Sequence, residues 1–289
     1  MSKKILLGIL GSPRKAGNSE LFVKELHRNL PPDWELRLMR LPELDVRPCR
    51  ACYKCLFGEM RCPIKDDFQL AMDALAAADA LAIAAPAYLL GANASLKNFL
   101  DRGLGLYGRI DELWGKPAVG VAIAGVEGME GYTKLVIDSF IKLVYGDHRG
   151  SAVLYGALPG EIFLEGDGKA VAARFAATLA GDAKPAAPES PVCPLCGGDT
   201  FRFLPGGVAR CMVCSSAGRY EWTDGRLDMR MERGGHPFFL TYEDARNHAE
   251  WLRGMKEKFL ARRNELKEVT QSYTQEVVWV RRPDEGAKG

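Results

Sequence analysis

Residues 4–22 read KILLGILGSPRKAGNSELF, and this stretch decides the fold. Lys4 to Leu10 is a short, nearly unbroken apolar run, the pattern of a parallel strand buried on both faces. Over 19–30 the apolar side chains Phe22, Leu26 and Leu30 recur at helical spacing, with Asn18 as the expected N-cap. The join between them, residues 11–19, brings together the hydroxyls of Ser12 and Ser19, the Asn18 amide, the Arg14 cation, Gly17 and the free N–H groups of a helix start. That combination predicts a phosphate cradle. It is not a Walker A loop, because Asn18 stands where the lysine belongs, and it is not G-x-G-x-x-G. The plainer alternative is a turn with a cap.

The same alternation continues outward. Trp34, Leu36 and Leu38 predict a second strand, and Asp66-Asp67 a cap for a helix through Leu70, Ala74 and Ala77. Residues 80–85 predict a third strand ending at Pro86, 95–102 a helix, and 118–124 a fourth strand. Residues 132–145 predict a helix burying Leu135, Phe140 and Leu143, 152–158 a fifth strand, and 169–179 a last helix. Strands and helices in strict alternation imply an α/β, doubly wound, five-stranded parallel sheet. Ligands of such sheets bind beyond the carboxyl ends of the strands, so the loops after the first, third and fourth strands are the places to search.

Composition narrows the function classes. The chain has 289 residues, 47% of them hydrophobic and 26% charged, with 39 basic against 37 acidic side chains. A net charge of +2 gives no electrostatic footprint for nucleic acid or an anionic membrane. The most apolar stretch, 74–90, is interrupted by Asp79 and Pro86, so no membrane span is expected. The N-terminal residues lack the layout of an export signal, and a cytoplasmic location is expected. The four histidines show no H-E-x-x-H spacing, and no G-x-S-x-G elbow occurs. No side chain is expected to serve as a catalytic acid or base.

The eight cysteines fall into two sets. Cys49, Cys52, Cys55 and Cys62 follow C-x2-C-x2-C-x6-C, with Pro63 next. Two short steps and one longer step suit an iron–sulfur cubane, a centre wider than a single ion. A zinc site or a redox dithiol is the alternative. Cys193, Cys196, Cys211 and Cys214 follow C-x2-C-x14-C-x2-C, the paired knuckles of a zinc ribbon, with a rubredoxin-like mononuclear iron as the rival. Phe201, Phe203, Pro205-Gly206-Gly207 and Val208 predict a hairpin between the pairs. A second hairpin is expected around Asp224-Gly225, flanked by Tyr220, Trp222, Leu227 and Met229.

The expected organisation is therefore a first domain at 1–182 carrying the 49–62 insert, a Pro/Ala linker at 183–192, a ribbon module at 193–235 and a helical segment with a tail at 236–289. Residues 243–269 predict one long helix with an apolar stripe that includes Ala245, Ala249, Phe259, Leu266 and Val269, packed on the protein itself or a second subunit. Residues 277–280 predict a short strand, and the tail from 281 is expected to fray.

Taken together, Gly11-Ser12-Pro13-Arg14 through Gly17-Asn18-Ser19, then Pro86-Ala87-Tyr88, then Leu96-Lys97-Asn98-Phe99-Leu100-Asp101-Arg102 make residues 1–182 resemble the flavodoxin-like NAD(P)H-dependent FMN reductase superfamily. With Cys49, Cys52, Cys55 and Cys62 inserted after the second strand, the chain looks like an iron–sulfur flavoprotein. The ribbon and C-terminal helix lie outside that pattern. The resemblance implies FMN, with Ser12, Arg14, Gly17, Asn18 and Ser19 at its phosphate. It implies Pro86, Ala87, Tyr88, Leu89 and Gly91 along the ribityl chain and ring, and Gly125, Val126, Glu127 and Gly128 at the ring edge. Tyr88 as a core aromatic, Pro86 as a strand terminator and Asp101–Arg102 as a structural pair are the plainer readings. The resemblance also implies a homodimer or homotetramer. A flavin beside a 4Fe–4S cluster would convert between two-electron and one-electron transfer. The expected activity is electron transfer between a ferredoxin-like or other reduced donor and a small acceptor. The alternatives are an NAD(P)H-dependent reductase of flavins or quinones, and a redox subunit docked through its C-terminal module.

Overall fold

Alternate side chains of β1 (Lys4–Leu10) enter two different cores. Leu7 and Ile9 face one, Leu6 and Leu10 the other, and all four are buried. This is why the run carries no polar alternation. The computed structural model of the chain describes residues 3–164, 167–185, 191–224, 226–274, 277–278 and 280.

The chain continues as α1 (Asn18–Arg28), β2 (Trp34–Arg40), α2 (Phe68–Ala77), β3 (Ala80–Tyr88), the two-residue β4 (Gly91–Ala92), α3 (Ala94–Asp101), α4 (Ile110–Leu113), β5 (Pro117–Ala124), α5 (Thr133–Leu143), β6 (Asp147–Tyr155) and α6 (Gly168–Ala180). The strand order is β2-β1-β3-β5-β6, parallel throughout, with β4 pairing antiparallel to β3. This is the flavodoxin-like doubly wound sheet, and its order reverses between β1 and β3. Helices α2, α3 and α5 cover one face, α1 and α6 the other. Close helix approach is permitted by Gly8, where a Cβ would stand 2.6 Å from Val23 Cγ1.

Several expected boundaries move, each for a physical reason. β3 runs past Pro86 to Tyr88. Pairing with β1 ends at Leu10 opposite Ala84, so by Pro86 only β5 pairs in parallel, with Pro86 opposite Ile123. The proline is tolerated because its missing N–H is not asked for on the β1 side. Helix α2 buries Phe68, Ala71, Met72 and Leu75, while Leu70 points outward. The alanine-rich sequence offers two faces, and the larger side chains take the core. Helix α5 buries Ile137, Phe140 and Ile141 fully, and Leu135 and Leu143 only in part. Strand β6 begins at Asp147, earlier than its apolar residues suggest, because it is the sheet edge.

Strands β7 (Phe201–Leu204), β8 (Val208–Cys211), β9 (Ala217–Thr223) and β10 (Arg226–Glu232) form an antiparallel sheet in the order β10-β9-β8-β7. Gly206 and Gly207 turn the first hairpin at φ +77° and +69°. Gly225, of the second expected turn, lies outside the described residues, as do 186–190 of the expected linker.

Residues Met1–Ala249 make one compact unit and Glu250–Gly289 a second. The expected single helix over 243–269 is two: α7 (Tyr242–Ala261) and α8 (Arg263–Gln271), parted at Arg262 rather than at Gly254. Of its apolar stripe, Ala245 and Ala249 are buried, whereas Phe259 and Val269 are exposed. Val277, Val278 and Val280 form no strand and are exposed. Trp279 and the tail from 281 lie outside the described residues. Among the described residues, no helix is long and apolar enough to cross a membrane.

Phe99 is fully buried, its ring 5.2 Å from Phe68 and 5.6 Å from Phe140. Phe99→Ala should cost about 3–5 kcal/mol of stability, read as a fall in the denaturant midpoint by circular dichroism.

Candidate functional site

The loops that follow β1, β3, β5 and β6 meet at the carboxyl rim of the sheet. Gly11 N–H donates to Ala84 O at 2.9 Å, and a Cβ on Gly11 would lie 2.9 Å from that of Ala85, so the first loop leaves the sheet beside the third strand. Gly156 N–H donates to Ala124 O at 2.8 Å, which brings the loop after β6 beside that after β5.

In the first loop Gly17, not Asn18, caps α1, at φ −79° and ψ 169° with no side-chain cap bond. Asn18 is instead the first helical residue. Its amide donates to Gly156 O at 2.9 Å and accepts from Gly160 N–H at 2.7 Å, tying the loop to the one after β6. The first-turn N–H groups of α1, which have no partners inside the helix, thus meet no side-chain cap. Ser12 and Ser19 are buried, and the Ser12 hydroxyl accepts from Arg14 N–H at 3.2 Å. The Arg14 guanidinium is exposed and reaches Ala157 O at 3.4 Å.

Arg40, at the end of β2, holds this loop from below. It donates to Ser12 O at 2.8 Å and Arg14 O at 2.9 Å and pairs with Glu20 at 2.5 Å. Glu20 also pairs with Lys24 and accepts from Ala16 N–H. The Lys24 hydrogen bond, with help from Ala16 and Arg40, holds its carboxyl down at about 2, against an opposing effect of burial. Glu20 is therefore a neutralised brace and not a competitor for an anion. Arg40, Gly156, Ala157 and Gly160 escaped sequence reasoning. Only the position of Arg40 at a strand's carboxyl end marks it in the sequence.

The loops after β3 and β5 are laced together. Leu89 and Leu90 turn the short β3–β4 hairpin at φ +50° and +67°, conformations that cost a β-carbon residue energy. Tyr132 N–H donates to Leu90 O at 2.8 Å. Gly131, at φ +54°, admits this approach, since a Cβ there would lie 2.2 Å from Leu90 O. A Cβ on Gly91 would lie 2.6 Å from the Tyr132 hydroxyl oxygen. Tyr88 is half exposed, Leu89 is 99% exposed and Val126 is 64% exposed. Tyr88 is thus no core aromatic. Glu127 and Gly128 are exposed on the same loop as Gly125.

In the cysteine insert, Cys49 and Cys52 are exposed, Cys62 is partly buried and Cys55 is buried. Burial pushes the Cys55 thiol up to about 11, and Cys62, Cys52 and Cys49 add to the rise in that order. The four sulfurs therefore share one electrostatic neighbourhood, although they form no group within 4.8 Å of one another. A cubane holds its thiolates further apart than one ion does. Beside them, Arg102 Nη2 donates to Cys62 Sγ at 3.1 Å. The Arg102 and Asp66 side chains are fully buried and paired at 2.7 Å, whereas Asp101 pairs with Lys97. The expected Asp101–Arg102 pair is thus replaced by two others. Arg102 Nε is buried without a partner among the described residues. Four thiols beside a buried cation with a donor to spare are a donor set that fits an iron–sulfur cluster.

The second set is tight. The Sγ atoms of Cys193, Cys196, Cys211 and Cys214 all lie within 4.8 Å, and all four residues are buried. Cys193 and Cys214 are 3.8 Å apart, Cys196 and Cys211 3.5 Å. Zn–S bonds of about 2.3 Å place tetrahedral sulfurs about 3.8 Å apart. Hydrogen bonds with Cys193, Cys196 and Cys211 drive the Cys214 thiol below its ordinary value, while those with Cys193, Cys211 and Cys214 drive Cys196 above it. So crowded a set can ionise fully only around a cation. Lys134 pairs with both Asp138 and Asp199 at 2.8 Å, tying α5 to the ribbon.

This rim and fold define a flavin-dependent oxidoreductase. A family model described as NADPH-dependent FMN reductase matches residues 5–145. The iron–sulfur flavoprotein of Archaeoglobus fulgidus is 32% identical over 164 residues, covering 54% of this chain and 70% of that protein. The iron–sulfur flavoprotein of Methanosarcina thermophila is 31% identical over 121 residues, covering 42% of this chain and 63% of that protein. The chain belongs to the iron–sulfur flavoprotein family. A solved flavone reductase superposes with a TM-score of 0.73 at 17% identity, covering 96% of this chain and all of that one, which establishes a shared fold.

Glu20→Gln tests the brace under the first loop. Because the folded value of about 2 lies below the unfolded 4.5, the carboxylate's contribution is present above pH 4.5 and is lost as pH falls toward 2. The variant should melt below wild type at neutral pH, and the gap should close over that window when melting is followed by circular dichroism.

Proposed function

We propose that the chain passes electrons between FMN on the rim and a 4Fe–4S cluster held by Cys49, Cys52, Cys55 and Cys62. A reduced ferredoxin-like donor supplies them and a small molecule accepts them. The observation that carries this reading is the uncapped start of α1 sharing one rim with the exposed Tyr88–Leu89 hairpin. A phosphate needs the first and a planar apolar ring covers the second.

In this reading Ser12, Ser19, Arg14 and the N–H groups after Gly17 hold the phosphate. Asn18 acts indirectly, by fixing the loop against Gly156 and Gly160. Pro86, Ala87, Tyr88, Leu89 and Gly91 line the ribityl chain and ring. Gly125, Val126, Glu127 and Gly128 border its edge and keep water from it. When bound, FMN supplies two-electron chemistry and the cluster one-electron chemistry, and no residue need act as acid or base. Cys193, Cys196, Cys211 and Cys214 hold zinc. Four buried sulfurs leave no open position, which is the mark of a structural site. A homodimer or homotetramer belongs to the same proposal, with a second copy near the exposed rim.

A second reading, an NAD(P)H-dependent reductase, is favoured by the description of the family model over residues 5–145. Anaerobic stopped-flow mixing of the FMN- and cluster-loaded protein separates the two. Fast bleaching of flavin by reduced ferredoxin, and at least tenfold slower bleaching by NADPH or NADH, is the expected outcome. The reverse order would establish the reductase, and no bleaching by either would end both readings.

A further inference from the structure

We infer that Arg102 is a positioning residue for the Cys49–Cys62 centre, one that sets its reduction potential by hydrogen bonding the Cys62 sulfur and holds the cysteine loop against α3. The inference rests on Cys62 being a ligand of that centre.

Arg102 follows the last turn of α3, and its side chain has no solvent exposure. Asp66 satisfies part of it, with bonds of 2.7 Å to Nη1 and 3.2 Å to Nη2. A bidentate carboxylate would suffice to neutralise the cation. The group nevertheless makes two further contacts, both to the cysteine insert. Nη1 donates to Arg47 O at 2.7 Å, just ahead of Cys49, and Nη2 donates to Cys62 Sγ at 3.1 Å. The guanidinium therefore grips both ends of the loop that carries the four cysteines. One turn earlier on the same helix, Asn98 donates to Val46 O. Asn98 and Arg102, four apart, form one polar edge of α3 that clamps the loop's entry.

Asp66 is itself held by backbone N–H groups of Arg47 and Phe68, at 3.0 and 3.2 Å. The Phe68 ring lies 4.5 Å from the guanidinium carbon. The cation is thus fixed on every side but Nε, which is buried and has no partner among the described residues. A cation that donates to a thiolate in a dry site favours the state with more negative charge, which for a cluster is the reduced one. A structural ion pair alone would not need the sulfur.

The position of α3 gives the contact a wider consequence. Its N-cap, Asn93, follows directly on the β3–β4 hairpin that the flavin reading uses, and its other end is Arg102. Eight residues at about 1.5 Å each make a rigid spacer of about 12 Å. One helix thus runs from the flavin hairpin to the residue that grips Cys62.

The test is a spectroelectrochemical titration of the cluster in anaerobically purified, full-length Arg102→Gln and Arg102→Lys, with iron and sulfide measured in each. Arg102→Gln, with its cluster loaded, should titrate lower, the reduction equilibrium falling about tenfold, or about 59 mV for one electron. Arg102→Lys, which keeps the charge but loses the fork, should fall between it and wild type. Should Arg102→Gln fail to fold, the Lys variant alone carries the prediction. Variants with full clusters and the wild-type potential would overturn the inference while leaving the cluster reading intact. A wild-type chain without iron and sulfide would defeat the cluster reading, and the inference with it.

Discussion

A strand buried on both faces has nowhere to do chemistry except at its ends. Leu6, Leu7, Ile9 and Leu10 commit β1 to the interior, and the same holds for most of β3 and β5. Polar loops are thereby forced to the rim, and the reversal of strand order between β1 and β3 opens a crevice there. Every candidate flavin contact depends on that constraint. The backbone bonds from Gly11 to Ala84 and from Gly156 to Ala124 then carry the precision of the sheet into the loops.

Two sulfur sites sit on this frame in contrasting ways. The ribbon's four thiols are crowded, buried and closed, so they suit a single ion that holds the 193–196 and 211–214 turns together. The insert's four thiols are more open and more widely spaced, and they lean on a buried arginine from the frame itself. The first arrangement suits stability; the second suits a centre that must change charge. Burial raises the cost of charge at Cys55, whereas the buried Arg102 guanidinium donates a hydrogen bond to the Cys62 sulfur. The balance of such opposing terms is how a protein tunes a redox centre.

Much of this was legible in the residues alone. The apolar run at 4–10, the two cysteine spacings and the Pro-Gly-Gly turn each report local geometry, and local geometry is what a sequence encodes directly. Helix faces were less legible where alanine made both sides acceptable, as in α2. The contacts that organise the site were not legible at all. Arg102 meets Cys62 and Asp66, and Asn18 meets Gly156 and Gly160, across long stretches of chain. Nothing in local spacing distinguishes Asp66 from Asp101 as the partner of Arg102. Asn18 has the composition of a cap, yet it serves as a tie between loops, because Gly17 already supplies the extended conformation a cap requires.

The proposed function requires two different inorganic centres beside one flavin. The most direct measurement is the content of iron, acid-labile sulfide, zinc and FMN per chain after anaerobic purification. The proposed function requires about four iron and four sulfide, with one zinc and one FMN. Two zinc ions without sulfide, or a chain that retains no flavin, would contradict it.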